Sequence, residues 1–147
     1  MIHHAGVKWK DGSDPVKKVR ALQSWGQRDK GWPDLPYHFL IAPDGRVFQG
    51  RDPLYRPQSN TKYNMDGVLN VQLFGDFEQQ PVAEKQQQAL EATLIYLCRI
   101  HNIEVSSIST HKDEAPGQTT CPGRNLTALL PRLLQRVKEC VSAAGAY

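Results

Sequence analysis

The sequence predicts an α/β fold in which a central mixed sheet carries helices packed on both faces, with residues 1–147 forming a single domain. Three observations predict this class. Short apolar strand patterns alternate with longer helical patterns along the chain. A Pro-Asp-Gly turn at 43–45 joins two strands as a hairpin, and residues 68–74 are nearly continuously apolar, as in a central strand covered on both faces.

The composition is that of an ordinary globular chain. Of its 147 residues, 39% are hydrophobic and 22% are charged, which is enough for one core. The net charge of +3 comes without a run of Lys and Arg, so we expect no nucleic-acid partner. We expect no membrane insertion, because no apolar stretch is long enough. The three cysteines, Cys98, Cys121 and Cys140, make a poor disulfide framework. No signal peptide has room before His3, so we expect a chain that is cytoplasmic when made.

A strand and a helix open the chain. Residues 1–5 have a strand-like pattern, and alternation along a strand sends His3 and His4 to opposite faces, so that one of them at most can join a site. Asp14-Pro15 combines a capping side chain with a proline at the first helical position. The helix that starts there is expected to fade between residues 26 and 31, where glycines recur.

The hairpin follows. Its first strand is predicted over residues 36–42, with Tyr37, Phe39 and Ile41 on one face and His38 on the other. This alternation places the hydroxyl of Tyr37 and the ring of His38 in different surroundings. We therefore interpret His38 as a structural or supporting residue.

The second half of the chain predicts two long helices. A long loop at 52–65 precedes the apolar strand, and such loops in compact domains are often functional. Helical spacing then covers residues 81–102, and residues 103–109 are expected to be extended. In the last helix we expect Pro131 to open the main part, since an interior proline removes a hydrogen bond. The tail at 142–147 is expected to fray.

The segment 109–123 holds the strongest chemical signal. Nine residues separate His111 from Cys121, a spacing that suits the two ends of an ordered loop. A neutral imidazole and a thiolate are both good zinc ligands, and a third would come from His3 or His4. Three protein ligands with one open position are typical of a catalytic zinc site, whereas four ligands close a structural one. On spacing alone, an ordinary surface loop with one buried thiol remains the alternative.

Four motifs in order carry a resemblance to a known family. They are Ile2-His-His-Ala5, the hairpin pattern at 36–51, Leu73-Phe-Gly-Asp-Phe77, and Thr110-His111 followed by Thr119-Thr-Cys-Pro-Gly123. Over residues 2–135 the chain resembles the zinc N-acetylmuramoyl-L-alanine amidases, a type shared by phage lysozymes of the amidase class and peptidoglycan recognition proteins.

This resemblance implies a zinc cofactor held by His3, His111 and Cys121. It also implies two further site residues, Tyr37 and Thr119, whose hydroxyls are suitable neutral donors for a developing oxyanion. The implied substrate is peptidoglycan or a muropeptide, cut at the amide that joins N-acetylmuramic acid to L-alanine. An unactivated amide is a poor electrophile, and zinc is suited to polarise its carbonyl and to activate water near neutral pH.

The leading expectation is a monomeric amidase that lyses cell walls after release by another route, as in phages. A cytoplasmic enzyme that recycles soluble muropeptides is a second version, although such enzymes carry Asp where this chain has Cys121. A receptor that binds peptidoglycan without cutting it is a different class, whose members lack the ligand Cys or the first His. A purely structural zinc module would need a fourth ligand such as His4 or His38.

Overall fold

The computed structural model describes residues 1–143. Of the tail that the sequence predicts to fray at 142–147, Ser142 and Ala143 belong to the last helix, and residues 144–147 lie outside the described part of the chain. Its sheet has the strand order β1-β4-β2-β3, with the bounds β1 (Ile2–His4), β2 (Phe39–Ile41), β3 (Val47–Gln49) and β4 (Val71–Leu73). Strand β4 runs parallel to both β1 and β2, whereas β2 and β3 form the antiparallel hairpin. The mixed sheet is therefore confirmed, and the apolar run at 68–74 supplies an inner strand.

Helices cover both faces of this sheet, as predicted. Their bounds are α1 (Pro15–Lys30), α2 (Glu84–Ile100), the one-turn α3 (His111–Glu114) and α4 (Arg124–Ala143). One face carries α2 and α4, which bury a core with strand residues Ile2, Ile41, Val71 and Leu73. The other face carries α1, which packs against Leu40, Ala42 and Phe74. Among residues 1–143, no helix combines the length and the apolar character needed to cross a bilayer.

Helix α1 starts where the sequence predicts and ends within the predicted range of 26–31. The Asp14 carboxylate accepts a hydrogen bond from the Val16 N–H at 2.9 Å, which caps the first turn. The helix does not fade at Gly26, because the Trp32 side chain packs over that position. It ends at Lys30, and the next residue, Gly31, reverses the chain with a φ of 65°.

The predicted face of Tyr37 is wrong. The N–H groups of His38 and Phe39 both donate to the carbonyl of Asn70, at 3.0 and 3.2 Å, so two residues of this chain segment oppose one residue of the neighbouring segment. A pairing of this bulge type shifts side-chain alternation by one position. Tyr37 therefore packs with Leu40 on the face of the sheet that α1 covers, while Phe39 packs on the opposite face.

Two later segments also differ from the sequence prediction. Residues 103–109 include a 3-10 turn, Val105–Ser107, because the Ser107 side chain and N–H both donate to the Glu104 carbonyl and compete with strand pairing. Pro131 lies inside α4 instead of opening it. It lies on the exposed side of the helix, where water can hydrate the carbonyl that loses its donor.

Candidate metal centre

Strand β1 places His3 on the α1 face of the sheet. His3 pairs laterally with Gln72, which pairs in turn with Leu40, and paired residues of parallel strands point to the same side. His4 points to the other face, where its Nδ1 accepts a hydrogen bond from the Phe77 N–H at 3.2 Å. The predicted separation of the two histidines is confirmed, and His3 is the one that joins the cluster described below.

The edge of β1 positions His111. Thr110 forms an isolated parallel bridge with Ile2, whose N–H donates to the Ser109 carbonyl at 2.9 Å. The Asp113 carboxylate accepts hydrogen bonds from both the N–H and the hydroxyl of Thr110. These contacts cap the one-turn helix α3 and bring its first residue, His111, next to the first strand.

Backbone contacts hold Cys121 at the other end of the same loop. Its carbonyl accepts a hydrogen bond from the Lys112 N–H at 2.9 Å, which closes the loop beside His111. Its own N–H donates to Thr119 Oγ1 at 3.1 Å. Its Sγ accepts a hydrogen bond from the His4 N–H at 3.3 Å. The thiol is thus tied both to its own loop and to β1.

His3, His111 and Cys121 form a compact group of possible metal ligands. One ligand atom from each lies within 4.8 Å of the other two. The Nδ1 atom of His3 is 3.7 Å from the Sγ atom of Cys121, and the two imidazole centroids are 4.6 Å apart. On a tetrahedral zinc ion, a nitrogen and a sulfur ligand lie about 3.6 Å from each other. Both the donor types and the observed spacing therefore fit zinc.

A fourth histidine ligand is not part of this group within residues 1–143. His38 uses both ring nitrogens elsewhere, because Nδ1 accepts from the Asn70 N–H and Nε2 lies 2.9 Å from the Tyr55 carbonyl. His4 contacts Phe77 on the opposite face of the sheet from this group. The arrangement matches the three-ligand kind of site and not the closed structural kind.

Burial sets the charge of these groups. Desolvation lowers the pKa of His3 well below its ordinary value, and His111 adds to the shift. Desolvation also lowers the pKa of His111, so both imidazoles are neutral near pH 7, the form that binds a metal. Burial raises the pKa of the Cys121 thiol to about 12, and the His4 N–H opposes that shift. A cation beside the sulfur favours the thiolate.

Tyr37 and Thr119, the other predicted site residues, border the group. The ring centroids of Tyr37 and His3 are 5.1 Å apart. Desolvation raises the pKa of Tyr37, with Cys121 adding to the shift, so its hydroxyl stays protonated and able to donate. Thr119 Oγ1 accepts the Cys121 N–H, which leaves the hydroxyl hydrogen of Thr119 for another acceptor.

Sequence reasoning missed three polar residues at this site: Thr61, Asn70 and Gln72. The Oδ1 of Asn70 and the Oε1 of Gln72 are buried with no hydrogen-bond partner within residues 1–143, as is the Nε2 of His3. Polar residues at alternate positions of a doubly covered strand were the available signal, since burial without a partner is unfavourable. Thr61 lies in the long loop and contacts His111 Nε2 through its hydroxyl, a contact that no local pattern indicates.

Known proteins are similar to this chain in sequence and in fold. Residues 1–124 match the family Amidase_2, N-acetylmuramoyl-L-alanine amidase, and the chain belongs to that family. It is 30% identical to peptidoglycan-recognition protein SD of Drosophila simulans over 131 residues, which are 88% of this chain and 69% of that protein. It is 32% identical to an endolysin of Enterobacteria phage T3 over 113 residues, covering 74% of this chain and 71% of the endolysin.

Solved structures agree with the sequence comparison. Drosophila peptidoglycan recognition protein SD superimposes with a TM-score of 0.78 and 26% identity, over 89% of this chain and 77% of that one. The N-acetylmuramoyl-L-alanine amidase LysC from Clostridium intestinale superimposes with a TM-score of 0.69 and 27% identity, over 90% and 81% of the two chains. The predicted fold and resemblance are confirmed, in a family that contains both amidases and recognition proteins.

Proposed function

We propose that this chain is a zinc-dependent N-acetylmuramoyl-L-alanine amidase, which hydrolyses the amide between N-acetylmuramic acid and L-alanine in peptidoglycan. The observation that carries the proposal is the 3.7 Å separation of His3 Nδ1 from Cys121 Sγ, with a ligand atom of His111 within 4.8 Å of both. Two neutral imidazoles and a thiol are a zinc donor set. Zinc, when bound, supplies a Lewis acid for the carbonyl and lowers the pKa of water to about 7.

The other two residues act on the substrate in this proposal. Tyr37 keeps its proton because burial raises its pKa, and its hydroxyl donates to the oxygen of the amide carbonyl as negative charge develops there. Thr119, whose oxygen already accepts the Cys121 N–H, offers its hydroxyl hydrogen to the same charge. We assign Tyr37 in addition the relay of a proton to the leaving amine of L-alanine: its hydroxyl donates to the amine nitrogen and takes up in return the proton that the attacking water loses, so that Tyr37 ends the step protonated.

A peptidoglycan-binding protein without catalysis is the second candidate. The similarity to peptidoglycan-recognition protein SD favours it. An ectodomain complex of the recognition proteins LCa and LCx, similar in fold to this chain, has been solved with tracheal cytotoxin bound. Binding alone needs no metal, so the compact group of three ligands favours the amidase over this alternative.

The test is an amide-specific assay on purified cell walls. Hydrolysis of the proposed bond releases new amino termini of L-alanine and creates no new reducing sugar ends. The zinc-loaded protein is expected to release these termini while the turbidity of the suspension falls. Chelation followed by removal of the chelator is expected to stop the reaction, and added zinc to restore it.

Matched cysteine variants provide the control. Cys121→Ser is expected to lose zinc and turnover together, whereas Cys140→Ser, at an exposed free cysteine, is expected to keep both. Turnover by metal-free Cys121→Ser would contradict the zinc mechanism. Zinc-loaded protein that binds cell walls and releases no amino termini would support the recognition role instead.

A further inference from the structure

We propose that the hydroxyl of Thr61 is a positioning group for His111, which holds the imidazole so that Nδ1 is its metal-binding nitrogen. This inference rests on the proposed zinc site and deepens it. Thr61 lies in the long loop at 52–65, fifty residues from His111 in sequence. It belongs to none of the motifs that identify the family in this chain.

The contact occupies one ring nitrogen of His111. Thr61 Oγ1 lies within hydrogen-bonding distance of His111 Nε2. A neutral imidazole has one N–H donor and one acceptor nitrogen, and a metal takes the acceptor. If Nε2–H donates to Thr61, the lone pair of Nδ1 faces the metal position. A hydrogen bond to the ring nitrogen that does not bind the metal fixes the tautomer and the ring orientation of a metal-binding histidine.

Ser59 orients the Thr61 hydroxyl for this role. The Oγ atoms of Ser59 and Thr61 lie 2.9 Å apart, and Ser59 Oγ also accepts the Thr61 N–H at 3.2 Å. Thr61 can therefore donate its hydroxyl hydrogen to Ser59 and keep a lone pair for His111. In this proposal Thr61 donates to Ser59 and accepts from His111, which corresponds to the Nε2–H tautomer of His111.

The loop segment that carries Thr61 is held in place by separate contacts. The side-chain amide of Gln118 accepts the Lys62 N–H at 2.9 Å and donates to the Lys62 carbonyl at 3.0 Å. The ring of Tyr63 also packs near His111, with centroids 5.4 Å apart. Because these contacts do not involve the Thr61 hydroxyl, its removal tests the hydrogen bond to His111 and leaves the loop attached.

The experiment measures zinc affinity by competition with a chromophoric chelator, so that its result does not depend on turnover. Thr61→Val removes the hydroxyl at nearly constant shape, and affinity is expected to fall by about 10-fold to 100-fold, as for other supporting residues of metal ligands. Thr61→Ser keeps the hydroxyl and is expected to stay near the wild-type affinity. Thr120→Val, at an exposed position of the loop that carries the ligands, is the matched control and is expected to bind normally.

Failure of this inference is distinguishable from failure of the zinc proposal. Wild-type protein that binds no zinc contradicts the zinc site itself. Wild-type protein that binds zinc, with Thr61→Val binding equally tightly, overturns the role of Thr61, and so does Thr61→Ser binding as weakly as Thr61→Val.

A cobalt-substituted sample gives a spectroscopic readout that a general loss of stability would not produce. The visible absorption of cobalt-loaded Thr61→Val is expected to shift, and that of Thr61→Ser to match the wild type. If Thr61→Val does not fold, Ser59→Ala removes the partner that orients the hydroxyl, and a smaller loss of affinity is expected. Unchanged affinity in Ser59→Ala would then overturn the proposal.

Discussion

Tyr37 lies beside His3, with 5.1 Å between the ring centroids, and the bulge-type pairing at the start of β2 puts it on that face. Tyr37→Phe removes one protonated donor and keeps the ring that packs with Leu40. We expect turnover of cell walls to fall by about 100-fold or more, which is typical for the loss of an oxyanion donor. Zinc content is expected to stay at the wild-type level, and both quantities are measured on the same sample.

Tyr96→Phe is the matched control for this variant, because Tyr96 is an exposed tyrosine on α2. It is expected to retain full turnover. A Tyr37→Phe protein that keeps its zinc and its full rate would remove the hydroxyl of Tyr37 from the chemistry.

Gly123 determines how the chain leaves the metal site two residues after Cys121. Its φ is 88°, and a Cβ atom there would lie 2.6 Å from the carbonyl carbon of Phe77 and 2.7 Å from the nitrogen of Glu78. Gly123→Ala is therefore expected to lower the free energy of unfolding by about 2 kcal/mol or more. Denaturant unfolding of the metal-free protein measures this change.

A variant at Gly12 separates the two causes of that loss, which are the positive φ and the close approach of the added Cβ atom to Phe77. Its φ is 77°, and a Cβ atom there meets nothing within 4 Å. Gly12→Ala is expected to lower the free energy of unfolding by about 1 kcal/mol, the backbone contribution alone. Equal losses in the two variants would show that the close approach to Phe77 has no consequence.

Helix α2 is joined to the sheet by more than its apolar face. The buried side chain of Gln86 donates to the carbonyls of Ile41 and Phe74, both at 2.9 Å. These carbonyls lie at the end of β2 and directly after β4, so one amide ties both strands to the helix. Gln86→Leu is expected to lower the free energy of unfolding by about 2 kcal/mol, because a buried acceptor loses its donor.

An exposed glutamine on the same helix is the control for Gln86. Gln88→Leu is expected to change the free energy of unfolding by less than about 0.5 kcal/mol, as surface substitutions usually do. If the two variants lose the same amount, the contribution of Gln86 is not its hydrogen bonds to the sheet.

The loop at 52–65 is anchored although it contains no helix or strand. The Arg51 guanidinium, 4% exposed, donates to the carbonyls of Asp34, Leu35 and Arg56. Charged donors of this kind form the stronger hydrogen bonds of proteins. A segment tied at its start by Arg51 can hold Thr61 against His111, which explains how a long loop takes part in an ordered site.

At the scale of the whole molecule, buried histidines couple stability to pH. Desolvation lowers the pKa of His38 below its ordinary value of 6.5, and the Tyr55 carbonyl opposes this shift only in part. The unfolded chain therefore takes up this proton at a higher pH than the folded chain does. The stability contributed by neutral His38 is complete above about pH 6.5 and is lost as the pH falls through and below that value.

This linkage predicts a pH-dependent difference between two proteins. The free energy of unfolding of the metal-free wild type is expected to decline as the pH is lowered from about 8 to about 5. His38→Ala is expected to be less stable at pH 8, since it loses the two hydrogen bonds of the His38 ring, and it has no imidazole at this position to take up a proton. In urea titrations, the difference in the free energy of unfolding between wild type and His38→Ala is expected to become smaller toward pH 5. A difference that stays constant over this range would contradict the assignment to His38.

Much of the fold follows from local patterns. The Asp14 cap, the hairpin turn and the doubly covered strand are each read from a few neighbouring residues, and the structure contains all three. The separation of His3 from His4 also follows, because alternation along a strand has a period of two. The prediction failed at Pro131, which lies inside α4, because exposure of that side of the helix to water outweighs the helix-breaking tendency of proline.

By itself, the sequence determined the order of the elements, the mixed sheet and the family motifs, because hydrophobic periodicity, capping and turn chemistry are properties of short segments. The same motifs implied that His3, His111 and Cys121 share one site, and the tertiary structure places His3 Nδ1 3.7 Å from Cys121 Sγ, 118 positions apart in sequence. Tertiary structure alone decided that Tyr37 changes face and that Thr61 contacts His111. These contacts depend on strand register and on where long loops close, which no local pattern encodes.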